Sequence, residues 1–279
     1  MTGSARRGRR EGMILLNVLV VVAICAAAVT VMIVAQDIEV QRSTRLHQAS
    51  QAQVYGRAGE LSAVVALRRD GLTSPEIDGL TEPWAQIGQR TIAIPGGEFA
   101  LDVSDEQAFF NVNSVAGGDP VAASVLLRIG AAAGVSRETL STIALSLALV
   151  GPMRDDGPLR TAGVDPADLQ RLAPWVTFLP PEATLNVNTA SPELIAVVLN
   201  DPALARSVVD QRSRAALTPE AVLAFGAPRL VGARSDHYRV ETVVRVGDVR
   251  RRTVSRIERS IGPLGVEVRV ISRRRSHSA

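Results

Sequence analysis

From Met13 to Ala35 the chain carries no charged side chain. At 1.5 Å per residue this is roughly 35 Å of helix, enough to cross a bilayer. Beyond Gln36 polar residues return, and the apolar positions thin to one modest stripe, Leu46, Ala49, Ala58, Leu61 and Val65, at multiples of three or four residues. No proline interrupts before Asp70. The pattern predicts one helix from about Met13 to Asp70, roughly 87 Å long. Gly56 and Gly59 weaken it locally, and Gly71 is placed to cap its end.

The pattern then changes. Pro75, Pro83, Pro95 and Gly96-Gly97 break residues 72–98. Thr91 to Ile94 and Phe99 to Val103 alternate around a Pro-Gly-Gly turn and predict a hairpin. From Pro120 to about Gln211 the period is helical, with PVAASVLLRIGAAAGV, RETLSTIALSLALV, PADLQRLAPWV and DPALARSVVDQR as candidates. Gly151-Pro152 and Asp155 to Pro158 read as loops. Asn186-Val187-Asn188-Thr189-Ala190 opens a further helix, with Thr189 or Ser191 as N-cap, Pro192 in the first turn and Glu193 at the positive helix end. After that, alternation returns. Tyr238, Val240, Thr242 and Val244 define a strand, Gly247-Asp248 a turn, and Val249–Ile257 and Val266–Ile271 two partners. Residues 273–279 are expected to be disordered.

Composition narrows the function. Hydrophobic residues make up 46% of the 279, but aromatics only 3%, so any core is built from Val, Leu, Ile and Ala. The single cysteine, Cys25, lies inside the apolar run and leaves no internal disulfide. The net charge is +3, and losing residues 1–12 removes four arginines and one glutamate, which leaves zero. That argues against nucleic acid as the main partner, because phosphate binding needs a clustered basic surface. His47, His237 and His277 show no metal spacing and read as ordinary surface or helix residues. The chain has no Walker loop, dinucleotide fingerprint or nucleophile elbow. The expectation is a protein that is not an enzyme.

The apolar run exceeds the usual secretory h-region of about 7–15 residues. Arg6, Arg7, Arg9 and Arg10 precede it, which predicts a cytoplasmic N-terminus. A basic leader ending at Gly12, followed at once by an apolar helix from Met13, resembles the class III signal of type IV pilin-like proteins. Three further stretches, DEQAFFNVNSV at 105–115, RLAPWVTFLPPEATLNVNTASPELIAVVLN at 171–200 and Ser235-Asp236-His237-Tyr238 opening the last hairpin, resemble the K-type minor pseudopilins of type II secretion. The likeness covers nearly the whole chain. Most pilin-like subunits carry Glu at mature position five; here it is Asn17. A carboxylate inside a bilayer needs a partner, and the K-type subunit, proposed to sit at the filament tip, typically lacks it.

The resemblance implies an α+β fold: a pilin-like long N-terminal helix packed on a small antiparallel sheet, with a large all-α domain inserted in the head. The expected division is a leader at 1–12, a transmembrane segment at 13–35, and a periplasmic helix at 36–71. The head follows at 72–110, the insertion at 111–215 and C-terminal strands at 216–272. The resemblance also implies cleavage between Gly12 and Met13 by a prepilin peptidase, N-methylation of Met13, and a single-pass inner-membrane protein with a periplasmic head. Its implied partners are I- and J-type minor pseudopilins, the pseudopilus and the inner-membrane platform, and its implied role is initiation of the filament for protein export. Some K-type proteins look like calcium binders through acidic loops around a Trp-x-Asp-x-Asp pattern. Here Pro152-Met153-Arg154-Asp155-Asp156 departs from it, and Asp155 and Asp156 are the carboxylates left for calcium, too few for six to eight oxygens.

Two other readings stand beside this one. The first is a minor pilin of a type IV pilus-like system. The second is a membrane-anchored DNA-binding protein, because Asn-Val-Asn-Thr-Ala-Ser-Pro-Glu-Leu also resembles the start of a helix-hairpin-helix motif. In that motif the link carries Gly-x-Gly, whereas here it is Asn200-Asp201-Pro202, a poor phosphate cradle.

Overall fold

The computed structural model describes residues 4–88, 91–226 and 228–278, with side chains over 16–88, 91–226 and 228–275. Its first element, α1 (Ser4–Thr73), is one unbroken helix of 70 residues. The short helix α2 (Pro83–Gln86) and strands β1 (Ile92–Ile94) and β2 (Gly97–Asp105) follow. A helical insertion comes next. The chain then returns through β7 (His237–Val246), β8 (Val249–Gly262) and β9 (Gly265–Ser278). The five strands form one antiparallel sheet, ordered β1-β2-β7-β8-β9. β2 and β7 pair directly although Asp105 and Tyr238, which face each other, are 133 positions apart in the chain; Val103 lies opposite Val240 and Phe99 opposite Val244.

Alternation gives this sheet one apolar face. Leu101, Val103, Tyr238, Val240 and Ile257 turn inward against Ala63 and Leu67 of α1. The helix can lie this close because of its glycines. A Cβ on Gly59 would stand 2.4 Å from the Phe99 ring, and one on Gly71 would stand 3.0 Å from Val266. Gly71 therefore does not cap the helix, which runs on to Thr73; it is a contact point with the sheet.

The packed face of α1 is not the stripe that the hydrophobic pattern picks out. Ala52, Gly56, Gly59, Ala63 and Leu67 are buried. Leu46, Leu61 and Val65 are exposed. Small residues mark the contact because the helix axis approaches the sheet closely, and larger aliphatic side chains are left on the opposite side.

The insertion has its own core. It holds α3 (Pro120–Ala133), α4 (Arg137–Val150), α5 (Gly157–Thr161) and α6 (Pro166–Leu172), then β4 (Val176–Thr177) and β5 (Leu185–Asn186), then α7 (Pro192–Leu199), α8 (Pro202–Arg212) and α9 (Pro219–Ala224). The strand β3 (Phe110–Asn111) precedes it and β6 (Val231–Gly232) closes it. Ile129, Ile143, Leu147, Leu159, Leu194 and Ile195 are at most 1% exposed. Asp119, Asp165, Ser191, Asp201 and Thr218 each cap a helix through the side chain, and each is followed by proline, so an acceptor for a free N–H and a preset φ are placed where the first turn needs them.

The insertion is built from two similar halves. β3 pairs in parallel with β4, and β5 in parallel with β6. Each first strand runs into Asn-Val-Asn, Asn111 to Asn113 and Asn186 to Asn188. In both, the second asparagine grips the two polar backbone groups of one distant residue. Asn113 accepts from Met153 N (2.9 Å) and donates to Met153 O (2.7 Å). Asn188 does the same with Leu217, at 2.8 and 3.0 Å.

The C-terminal run departs from expectation. Residues 273–278 are strand, not disordered. Arg273 reaches Glu60 of α1 at 2.7 Å and Arg274 reaches Asp155 at 2.8 Å, and these carboxylates offset the repulsion among neighbouring arginines.

Candidate functional site

The apolar part of α1 stands clear of the head. Its 18-residue window has mean hydropathy 3.0, none of it buried. Among the described residues it is the one helix long and apolar enough to cross a membrane. Asn17 and Cys25 lie on its exposed surface. Gly12 and Met13 fall within the helical stretch, but their side chains lie outside the described residues.

Where α1 meets the head, the polar groups converge. Arg259 is fully buried. Its guanidinium meets Asp70, in the last turns of α1, at 2.7 Å and Asp78 at 2.5 Å, and it donates to Ser235 O at 2.7 Å. The same guanidinium lies 5.2 Å from the Tyr238 ring centroid. Tyr238 donates its hydroxyl proton to Asp78 at 2.7 Å, and Trp84 packs edge-on against it. Ser235 carries the network onward: its N–H donates to Asp78 and its hydroxyl to Asp105 (2.6 Å). Asp105 also accepts from Thr189 (2.5 Å), Asn186 (3.1 Å) and the Gln107 N–H (2.7 Å). Asn186 reaches back to the Asp78 carbonyl. One continuous polar network thus ties α1, the sheet and the insertion together.

Burial dominates the titration of this network. It pushes Asp105 up to about 6 against four donated hydrogen bonds. It also pushes Asp70 up to about 7, helped by Glu82 and Asp78 and opposed by Arg259. Both folded values exceed the unfolded value of about 3.9. The stability these groups contribute is therefore full at acid pH and is lost as pH rises through about 6 and about 7. For Asp105 the shift corresponds to something on the order of 3 kcal/mol. The melting temperature of the full chain in detergent should rise as pH falls from 7 to 5. Asp105→Asn should flatten that slope, because the hydroxyls of Ser235 and Thr189 can turn to serve a neutral amide. An unchanged slope in the variant would contradict the assignment.

The expected calcium ligands do not assemble. Asp155 accepts from the Gly157 N–H at 3.0 Å and pairs with Arg274, and Asp156 pairs with Arg160 at 2.6 Å. Two carboxylates already held by arginines do not fit a calcium site. Among the described residues Asp70, Asp78 and Glu82 are the acidic group whose oxygens lie within 4.8 Å of one another, and there Arg259 supplies the positive charge. One histidine differs from the sequence reading: His237 is buried, whereas His47 lies on the exposed surface of α1.

The link between α7 and α8 is closed to phosphate. Asn200 ends α7 at φ 53°. The Asp201 carboxylate accepts from the N–H groups of Ala203 and Leu204 at 2.9 and 3.0 Å, so the N-terminus of α8 is filled by its own acid.

Sequence reasoning singled out Asn186, Thr189, Ser235 and Tyr238 as pattern residues but missed Arg259, Asp70 and Asp78. The signal for Arg259 was a charge at an inward position of an alternating strand, in phase with Ser255 and Ile257.

A membrane-length helix, docked on an antiparallel sheet that is interrupted by a helical insertion, is a pilin-like fold. No family model matches the sequence. Curated relatives do. The chain is 29% identical to the type II secretion system protein K of Pseudomonas aeruginosa, over 91% of this chain and 90% of the relative. It is 29% identical to that of Klebsiella pneumoniae, over 68% and 69%, and 26% identical to that of Pectobacterium carotovorum, over 87% and 90%. Its fold resembles that in the GspK-GspI-GspJ complex of the enterotoxigenic Escherichia coli type 2 secretion system, with TM-score 0.66 and 22% identity over 85% of this chain and 100% of that one. Over most of its length the chain is thus similar to type II secretion system protein K.

Proposed function

We infer that this chain is a minor pseudopilin that joins I- and J-type partners at the tip of a pseudopilus and initiates that filament for protein export. In this reading a prepilin peptidase removes residues 1–12, cutting between Gly12 and Met13, and Met13 is N-methylated. Residues 13–35 hold the protein in the inner membrane, with the head in the periplasm. The chain acts as a structural subunit rather than a catalyst.

The observation that carries the reading is that α1 has two apolar faces. One packs on the sheet. On the other, Val54, Leu61, Val65 and Leu72 are between 58% and 65% exposed. They recur at helical spacing, directly opposite the buried Ala63. A head that is already packed does not need that stripe. A helix from a neighbouring subunit would cover it.

One purification tests both parts. The chain is drawn from membranes with and without prepilin peptidase, and its intact mass and co-purifying subunits are read. The wild type should begin at Met13, carry one added methyl and retain I- and J-type subunits. Leu61→Arg/Val65→Arg should keep that mass and lose the partners. A chain still beginning at residue 1, or a double variant that keeps its partners, would overturn the corresponding part.

A further inference from the structure

A cleft of about 600 Å³ opens where the sheet, the segment after α1 and the insertion meet. Glu76, Glu182, Glu220, Asp236 and Glu258 line it. They come from five separate parts of the chain. Among the described residues Glu76, Glu182, Glu220 and Glu258 have no ion-pair partner. Two arginines line the same cleft, and both are engaged: Arg234 pairs with Asp236 at 3.0 Å, and Arg259 is spent on Asp70 and Asp78. The cleft is therefore strongly negative in a chain whose net charge is +3. Apposed walls of one charge sign focus the field and draw in the opposite charge.

A second observation points to a ligand. His237, which also lines the cleft, is only 6% exposed, and its Nδ1 has no hydrogen-bond partner. Burial lowers its pKa despite four nearby carboxylates, which leaves the imidazole neutral. With the ring proton on Nε2, the unpartnered Nδ1 accepts a hydrogen bond, so it suits a donor arriving from the cleft.

The layout selects the kind of donor. A bound metal ion needs several oxygens drawn around one point, yet these carboxylates do not lie within 4.8 Å of one another as a group. They are spread along the walls, which suits a ligand carrying several positive charges. We propose that this cleft receives a basic peptide segment, rich in arginine or lysine, from a partner protein. Guanidinium and ammonium groups would pair with the unpartnered glutamates, and one N–H would meet His237. Bound there, the segment would bridge the exit of the membrane helix, the sheet and the second half of the insertion. The inference does not depend on the pseudopilin reading.

The test uses the full chain in detergent and a fluorescein-labelled octapeptide of alternating alanine and arginine, followed by anisotropy at low ionic strength. Glu76→Gln/Glu182→Gln/Glu220→Gln removes three exposed charges without touching the core. It should weaken binding by at least about tenfold. Glu138→Gln/Asp210→Asn, acidic positions outside the cleft, should change it by less than about twofold. Peptide binding should also slow amide exchange around residues 76, 182 and 258. Equal affinity for the triple variant and the wild type would overturn the proposal. So would displacement of the peptide by calcium chloride beyond what sodium chloride of matched ionic strength achieves, since that would make the cleft a metal site.

Discussion

Arg259→Met is expected to be the most damaging single substitution in this chain. The guanidinium is fully buried and meets two carboxylates that are themselves nearly or wholly inaccessible. Methionine fills most of the volume, so the loss is electrostatic: Asp70 and Asp78 would remain in a dry site with no counter-charge. Breaking a buried pair in this way typically costs about 3–5 kcal/mol, and for a chain of this size that lowers the melting temperature by roughly 6–20 °C. A second feature separates this from simple loss of packing. Arg259 is what opposes the upward shift of Asp70, so without it the folded pKa of Asp70 rises further. The stability gap between variant and wild type should therefore be large at pH 8 and narrow at pH 5. A gap that does not depend on pH would mean that the arginine acts through packing alone. Arg259→Lys should fall in between, since one ammonium cannot reproduce the guanidinium's hydrogen bonds to Asp70, Asp78 and the Ser235 carbonyl at once.

The dependence on Arg259 follows from the architecture. Two separate apolar cores, one between α1 and the sheet and one inside the insertion, have to be held in a fixed relation. An apolar seam would give adhesion with little direction. A buried network with each hydrogen bond oriented gives a defined geometry, provided that every member is satisfied.

What was legible in the sequence follows from the range of the interactions involved. The hairpin around Pro95-Gly96, the helix that opens at Ser191-Pro192 and the strand from His237 to Val246 are local events, set by turn chemistry, caps and alternation. They read correctly. The contact face of α1 did not, because aliphatic periodicity marks an apolar stripe without saying which of two apolar surfaces meets the sheet; Gly59 and Ala63 do so by being small. Helices α5 and α9 were not anticipated. They have five and six residues, shorter than the window in which a helical period can be recognised. The network could not be assembled from the sequence at all, since Asp70, Asp105, Asn186 and Arg259 are far apart in the chain and only the fold brings them together. Even so, the repeated Asn-Val-Asn was visible at both 111 and 186, as two turn elements rather than as two halves of one design.

That repetition leads to the other large expected effect. Asn113→Leu and Asn188→Leu should destabilise the insertion by similar amounts, about 2–4 kcal/mol each. In each case leucine fits an apolar surrounding but strands a buried backbone N–H and C=O, those of Met153 or those of Leu217, at about 1–3 kcal/mol per unsatisfied group. The equivalence is the informative part, because the two asparagines lie 75 positions apart and grip different residues, Met153 and Leu217. Asn200→Gly is the control. Asn200 sits at φ 53° as a helix C-cap, a conformation glycine adopts freely, so little should change. Hydrogen exchange on the full chain would locate the damage. Protection should fall across residues 110–232 in both leucine variants, while strands β2, β7 and β8 retain theirs, since the α1–sheet core is separate. Loss of protection throughout the sheet in either variant would mean that the two cores unfold as one unit, and that the network between them transmits more than position.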